Sequence, residues 1–276
     1  GSEIASAYAR FGTEVALIEM LDQILPAEDK DVVRVVERAF KKQGITMLTG
    51  TKVEGVEAGS KSVKLKAGDQ DLEVDYLVIA GGRGADVEPL NLSAVGLELE
   101  DGKIKVDAGQ RTSREGVYAI GDITPGPALA HKAQEEGTVA METIAGVDTH
   151  AVNLDDVPGA TFCHPQVASV GLTEAAAKEA GHDVKVGKFK LGGVGAGAVY
   201  DDRDGMVKIV ADKKYGEILG AHIVANRACD MIAELVAVKE LEGGVQELAR
   251  IIHPHPTISE AILEGARAVD GWATHA

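Results

Sequence analysis

The first 19 residues hold a helix, a break and a strand in that order, and this succession constrains the fold more than any other stretch of the chain. Ser2 to Arg10 is made of helix formers, Phe11-Gly12 closes the run, and Thr13 to Glu19 is an apolar strand ending in an acid. A dinucleotide-binding fold opens such a helix with Gly-x-Gly-x-x-Gly and carries an acid about 20 positions later that accepts ribose hydroxyls. Gly1 fits the third glycine and Glu19 the acid. A carboxylate there favours NAD over NADP, because it repels an added phosphate. The same residues also read as a cloning remnant at Gly1-Ser2 and an ordinary strand-end carboxylate at Glu19.

From Ala27 to Gln43 the apolar residues Val32, Val35, Val36, Ala39 and Phe40 recur at helical spacing. Asp29 and Asp31 lie in the first turn, Lys41 and Lys42 in the last, and Gly44 follows as a C-cap, so an amphipathic helix is predicted. Strands are predicted at Ile45–Leu48, Lys52–Val56, Ser62–Lys66 and Tyr76–Ala80, the last running into Gly81-Gly82-Arg83-Gly84. Gly, Asp, Asn and Pro thicken between Gly146 and Pro158, where a domain boundary is predicted. Beyond it come a strand at Val167–Leu172, a helix at Thr173–Ala180, several strands through Val224, and helices near 229–241, 245–251 and 257–269. Gly192 to Gly197 superficially resembles a phosphate loop, but no following helix and no Lys-Ser/Thr is read there, so a flexible connection between strands is expected.

The chain has 276 residues, 44 acidic against 28 basic, for a formal charge of −16. That field repels nucleic acid and anionic lipid. No apolar run approaches the ~20 residues of a membrane span and no secretion signal opens the chain, so a soluble, cytoplasmic protein is expected. Cys163 and Cys229 read as buried thiols in a reducing compartment, and no Cys-x4-Cys pair is present.

Three further stretches point to chemistry. In His253-Pro254-His255-Pro256-Thr257-Ile258-Ser259-Glu260, Pro256 keeps His255 out of helical geometry just before a helix. Glu260 is placed to bind the His255 ring and raise its basicity, but Thr257 to Glu260 also spells a capping box, and His253 with His255 could form half a metal site. Gly116-Val117-Tyr118-Ala119-Ile120-Gly121-Asp122 is a short β-prone run ending in an acid, either a ligand at a strand end or a turn aspartate. Leu129-Ala130-His131-Lys132-Ala133 opens a helix whose first N–H groups suit an electron-rich acceptor.

The 253–260 stretch resembles the active-site segment of the dihydrolipoamide dehydrogenases, members of the pyridine nucleotide-disulfide oxidoreductases, which reads His-x-His-Pro-Thr-x-x-Glu. Pro254 stands where the family has a small residue. The resemblance implies that His255 is the acid/base for a dithiol and Glu260 its partner, with no metal. Ile18 to Pro26 is similar to the family's nucleotide-domain strand and loop. Glu3 is similar to a helix glutamate near the flavin, though an exposed helix residue is the simpler account of it. Gly82 matches a glycine that approaches the nucleotide, although Gly84-Ala85-Asp86 replaces the usual x-Pro-Asn after the arginine. Asp122 matches the aspartate that binds the FAD ribitol chain, and Ala130 a backbone contact to the flavin.

The implied fold is α/β: a truncated dinucleotide-binding (Rossmann-like) domain over residues 1–80, the later segment of an FAD-binding domain over 81–150, and an α+β dimerisation domain over 151–276. The implied cofactors are FAD and NAD, the implied assembly a homodimer whose acid/base faces the disulfide of the opposite subunit. The absent Cys-x4-Cys leads us to expect a piece of a longer enzyme, unable to turn over or retain FAD stoichiometrically by itself. A glutathione or mercuric reductase of the same architecture is the nearest alternative. A non-catalytic dimerisation module is another, its acidic surface docking the basic subunit-binding domain of a 2-oxoacid dehydrogenase complex.

Overall fold

The computed structural model describes residues 1–275. Helix α1 (Ser2–Arg10) stops at Phe11-Gly12, where Gly12 takes a φ of +93°. Strand β1 (Ala16–Ile18) is shorter than the predicted 13–19 run. Helix α2 (Lys30–Lys42) is capped by Asp29, whose side chain accepts the Asp31 N–H, and it buries Val32, Val33, Val35, Val36 and Phe40. Strand β2 (Thr46–Leu48) then pairs in parallel with β1, giving the strand–helix–strand unit that the opening pattern called for.

An antiparallel meander follows: β3 (Val53–Ala58), β4 (Val63–Ala67) and β5 (Gln70–Val74). The predicted strand at 76–80 joins no ladder, and Tyr76, Val78 and Ile79 are exposed. An apolar run becomes a strand only beside another strand, and no described strand lies next to it. Ala80 does approach Gly1: a Cβ placed on Gly1 would sit 3.6 Å from the Ala80 Cβ.

Residues Gly81–Val157 form one compact unit and the remainder of the chain another. The 81–157 unit holds α3 (Leu92–Val95), the short hairpin β6 (Leu99–Glu100) and β7 (Lys103–Ile104), and α4 (Ala130–Ala145), with a small core around Leu92, Ile104 and Ala119. The β-prone run 116–120 makes only an isolated bridge between Tyr118 and Arg111.

The other unit is completed by β8 (Gly159–Thr161), β9 (Gln166–Gly171), α5 (Glu174–Glu179), β10 (Val184–Lys190), α6 (Gly195–Val199), β11 (Met206–Asp212), β12 (Ile218–Ala225), α7 (Ala228–Glu240), α8 (Val245–Leu248) and α9 (Glu260–Val269). The strands make an antiparallel sheet in the order β10-β11-β12-β9-β8. Alternation along β11 sends Val207, Ile209 and Ala211 to the core shared with α7 and α9, while Met206 meets the core under α2. Both faces of the central strands are thereby covered, which is why β12 is buried along its whole length.

The expected flexible connection at 192–197 is instead a 3-10 turn (Leu191–Gly193) running into α6. The glycines serve close packing here: a Cβ on Gly197 would lie 1.9 Å from the Leu191 carbonyl oxygen.

On the α2 face of the sheet Lys208 is buried and gathers three carboxylates. Its Nζ lies 2.8 Å from Asp29, 2.7 Å from Asp31 and 2.8 Å from Glu174. Lys188 also reaches Asp31 at 2.7 Å. The cluster joins the start of α2 to β11 and to the start of α5.

Candidate active site

His255 sits between two prolines on the elbow that leads into α9. Its Nδ1 lies 2.8 Å from Glu260 Oε1, while Glu260 Oε2 accepts the Thr257 N–H at 2.9 Å. The imidazole contact and the capping contact therefore coexist on one carboxylate. A full capping box would also aim Thr257 Oγ1 at the helix; here that hydroxyl donates back to the Pro254 carbonyl at 2.7 Å and tightens the elbow.

Burial pushes the Glu260 carboxyl up, but the Thr257 N–H and His255 outweigh it and hold the group below its ordinary range. An ionised carboxylate only accepts, so the proton of the neutral imidazole resides on Nδ1 and the lone pair on Nε2. The His255 side chain is 74% exposed and that of Glu260 16%, so the base is reachable while its partner is sheltered.

His253 is arranged differently. Its ring is buried, with Nε2 2.7 Å from Glu234 Oε1 on α7 and Nδ1 3.0 Å from the Ile251 carbonyl. Both nitrogens are committed, which removes the half metal site considered from sequence. Among the described residues no group of three or more ligand-type side chains gathers around a common point.

Gly1 is the N-cap of α1, and no side chain caps that helix. Glu19 follows β1 and is half-buried, its Oε1 accepting the Leu21 N–H at 2.9 Å. Glu3 is exposed but not idle: its Oε1 accepts the Phe162 N–H at 2.7 Å, tying α1 to the segment before β9.

In the 81–157 unit, Gly82 has a φ of +122°, open to glycine and costly to other residues, and nothing lies within 4 Å of a Cβ built there. Asp122 follows Gly121, whose φ is +82°. The Asp122 carboxylate is half exposed, with Arg83 Nε 3.9 Å away. Ala130 is the first residue of α4, and the preceding Leu129 provides no side-chain cap.

Beneath the Gly121-Asp122 turn lies a buried ion pair that sequence reading missed. Lys132 Nζ and Glu136 Oε1 are 2.8 Å apart, their side chains 0% and 3% exposed. Glu136 Oε2 accepts the Gly121 N–H at 2.6 Å, and Lys132 donates toward the Gly121 and Pro125 carbonyls at 3.1 and 3.0 Å. The four-residue spacing on one helix was visible as a signal; it is also the spacing of an ordinary surface pair.

Residues 1–137 match the pyridine nucleotide-disulphide oxidoreductase family, and residues 157–266 match its dimerisation domain. The chain belongs to the pyridine nucleotide-disulphide oxidoreductases. A dihydrolipoyl dehydrogenase of Rhizobium etli is 40% identical over 270 residues, covering 96% of this chain and 56% of the relative. Another, from Bacillus subtilis, is 40% identical over 281 residues, covering the whole of this chain and 59% of the relative. Among solved structures, LpdA of Mycobacterium tuberculosis superposes with a TM-score of 0.89 at 27% identity, covering 96% of this chain and 58% of that one. This oxidoreductase chain thus spans under two thirds of the length of each.

The two cysteines of this chain are both free thiols, Cys163 buried and Cys229 partly so. Burial pushes the Cys163 thiol up to about 12 and that of Cys229 to about 11, far from a reactive thiolate at neutral pH. No described helix is long and apolar enough to cross a membrane.

Proposed function

We propose that this chain supplies the acid/base centre and much of the nucleotide- and flavin-binding surface of a dihydrolipoyl dehydrogenase. Residues 1–80 serve NAD, 81–150 serve FAD, and 151–276 form the interface between two copies. The observation that carries the reading is the divided carboxylate of Glu260, which fixes the His255 tautomer while anchoring the elbow. His255 Nε2 takes the proton of a dihydrolipoyl thiol, and the thiolate left behind is the nucleophile. Glu260 stabilises the imidazolium that forms and holds the ring through the transfer. The disulfide attacked by that thiolate involves neither Cys163 nor Cys229. Ile252, almost wholly exposed beside the elbow, fits a surface that a second copy covers.

The residues present suit both cofactors. Asp122 offers a half-exposed carboxylate to the hydroxyls of the ribitol chain, and the uncapped start of α4 at Ala130 offers N–H donors to an electron-rich ring edge. Glu3 lies on the helix that family likeness places near the flavin. Gly1 starts a helix without a side-chain cap, as pyrophosphate binding requires, with Glu19 for the ribose and Gly82 for close approach. When bound, FAD would supply the acceptor for the electron pair of the reduced disulfide, now a dithiol, and NAD the final hydride acceptor. The acidic surface suits docking to a basic subunit-binding domain of a 2-oxoacid dehydrogenase complex.

The test is His255→Gln in the intact enzyme. Removing a general base costs about 10²- to 10⁴-fold in dithiol oxidation. NADH-driven reduction of the flavin, which does not need the dithiol base, stays close to normal. Near-normal dithiol turnover across neutral pH would overturn the assignment.

A further inference from the structure

The ion pair under the Gly121-Asp122 turn has no part in proton transfer, yet it engages most of the polar backbone of that turn. Glu136 Oε2 takes the Gly121 N–H at 2.6 Å. Lys132 Nζ donates to the Gly121 carbonyl at 3.1 Å, the Pro125 carbonyl at 3.0 Å, Thr124 Oγ1 at 3.1 Å and Glu136 Oε1 at 2.8 Å. Thr124 Oγ1 in turn donates to the Gly121 carbonyl at 2.7 Å. The cover over Lys132 is shaped to fit: Gly126, at a φ of +92°, would place a Cβ 2.8 Å from Leu154 and 3.4 Å from the Lys132 stem. From the other side Lys103 Nζ donates to the Gly126 carbonyl at 2.6 Å.

Two buried charges are costly to desolvate, and an apolar pair of the same volume is often at least as stable. What the pair adds is geometry. Lys132 and Glu136 lie on the first turns of α4, whose first residue is Ala130, and their hydrogen bonds end on the residues flanking Asp122. They therefore set the position of the Asp122 carboxylate relative to the N-terminus of α4.

We propose that Lys132 and Glu136 are positioning residues for FAD, holding the ribitol-binding aspartate and the flavin-facing helix start at one fixed separation. This rests on the reading of Asp122 and Ala130 as FAD contacts. A flavin bridging two elements needs both at the right spacing before it arrives; otherwise part of its binding free energy goes into ordering them.

Three variants of the intact flavoprotein, stripped of FAD and titrated with it, test this: Asp122→Ala, Lys132→Met, and the double Lys132→Met/Glu136→Gln. The single Lys132 variant leaves an unpaired buried carboxylate and is expected to lose thermal stability as apoprotein. The double variant leaves none, and its apoprotein melts near the parent. Its FAD dissociation constant is nevertheless expected to rise at least tenfold, with an altered visible flavin spectrum and faster amide exchange at Gly121. If affinity returns with stability in the double variant, to within twofold of the parent, the ion pair is merely structural and the inference falls while the Asp122 reading stands. If Asp122→Ala leaves FAD affinity unchanged, the reading beneath falls, and the inference with it.

Discussion

Two regions of this molecule hold carboxylates well below their ordinary range, by the same physics and to different ends. Around Lys208, burial pushes Asp31 up but Lys188 and Lys208 more than compensate, and Lys178 with Lys208 outweighs the burial of Glu174, bringing both to about 2. Around His255, Glu260 is lowered by a backbone N–H and an imidazole. The larger perturbation belongs to the cluster in which every carboxylate is already paired with a lysine. The smaller one leaves His255 Nε2 without a hydrogen-bond partner on an exposed ring. A depressed pKa marks a strong field, and an active site also needs an unsatisfied, reachable atom.

The contrast can be broken most severely at His255 and Lys208. His255→Gln should cost about 10²- to 10⁴-fold in dithiol turnover while leaving the melting temperature of the protein unchanged, since the ring is exposed. A large fall in melting temperature would place His255 in the structural class. Lys208→Met should do the reverse: about 3 to 5 kcal/mol of stability lost in denaturant unfolding near pH 7, from three carboxylates left facing one another.

That deficit carries a pH signature. The folded values near 2 lie below the ordinary 3.8 of Asp31 and 4.5 of Glu174, so their contribution is complete above about pH 4.5 and is lost as pH falls toward 2. The gap between parent and Lys208→Met should therefore be constant at neutral pH and narrow through that window. A gap independent of pH would mean that packing, rather than charge, is what Lys208 supplies.

A finer test is Glu260→Gln. An amide facing His255 can donate to Nδ1, which moves the ring proton to Nε2 and removes the base. A loss of roughly 10- to 100-fold in turnover is expected, with little change in stability because the amide oxygen still serves Thr257. Smallest of all is Thr173→Ala: its hydroxyl accepts the Ala176 N–H at 3.1 Å, and its loss should lower stability by about 1 kcal/mol without touching turnover.

Local features of the fold are written in the sequence itself. Asp31, Lys41, Lys42 and Gly44 marked α2, expected from Ala27 to Gln43 and found at Lys30–Lys42 with Asp29 as its cap, and Thr173 marked the start of α5, because caps and periodicity act within a few positions. The contact between His255 and Glu260 was also foreseeable, since Pro256 restricts the backbone between them. What escaped were features decided by distant neighbours. Tyr76 to Ala80 had the composition of a strand and no strand beside it. Gly195 to Val199 became helical through packing on Leu191, and β5 went unnoticed because Gln70-Asp71-Leu72-Glu73-Val74 gains its apolar face only by pairing with β4. Nothing in the local pattern told Lys132 or Lys208 from the many lysines that stay in water, because burial belongs to the assembled unit.

The central strands β11 and β12 have one further consequence. One side of them is roofed by α2, from residues 30–42, and the other by α9, from 260–269, so the two cores on the faces of one sheet draw on parts of the chain more than two hundred positions apart. Neither roof has its sheet until Met206 to Ala225 exists, so on the ribosome the early helix must wait, its valines bare, for partners not yet translated. For this protein the interval of synthesis is itself a hazard, and chaperone binding to nascent chains should peak before β12 emerges.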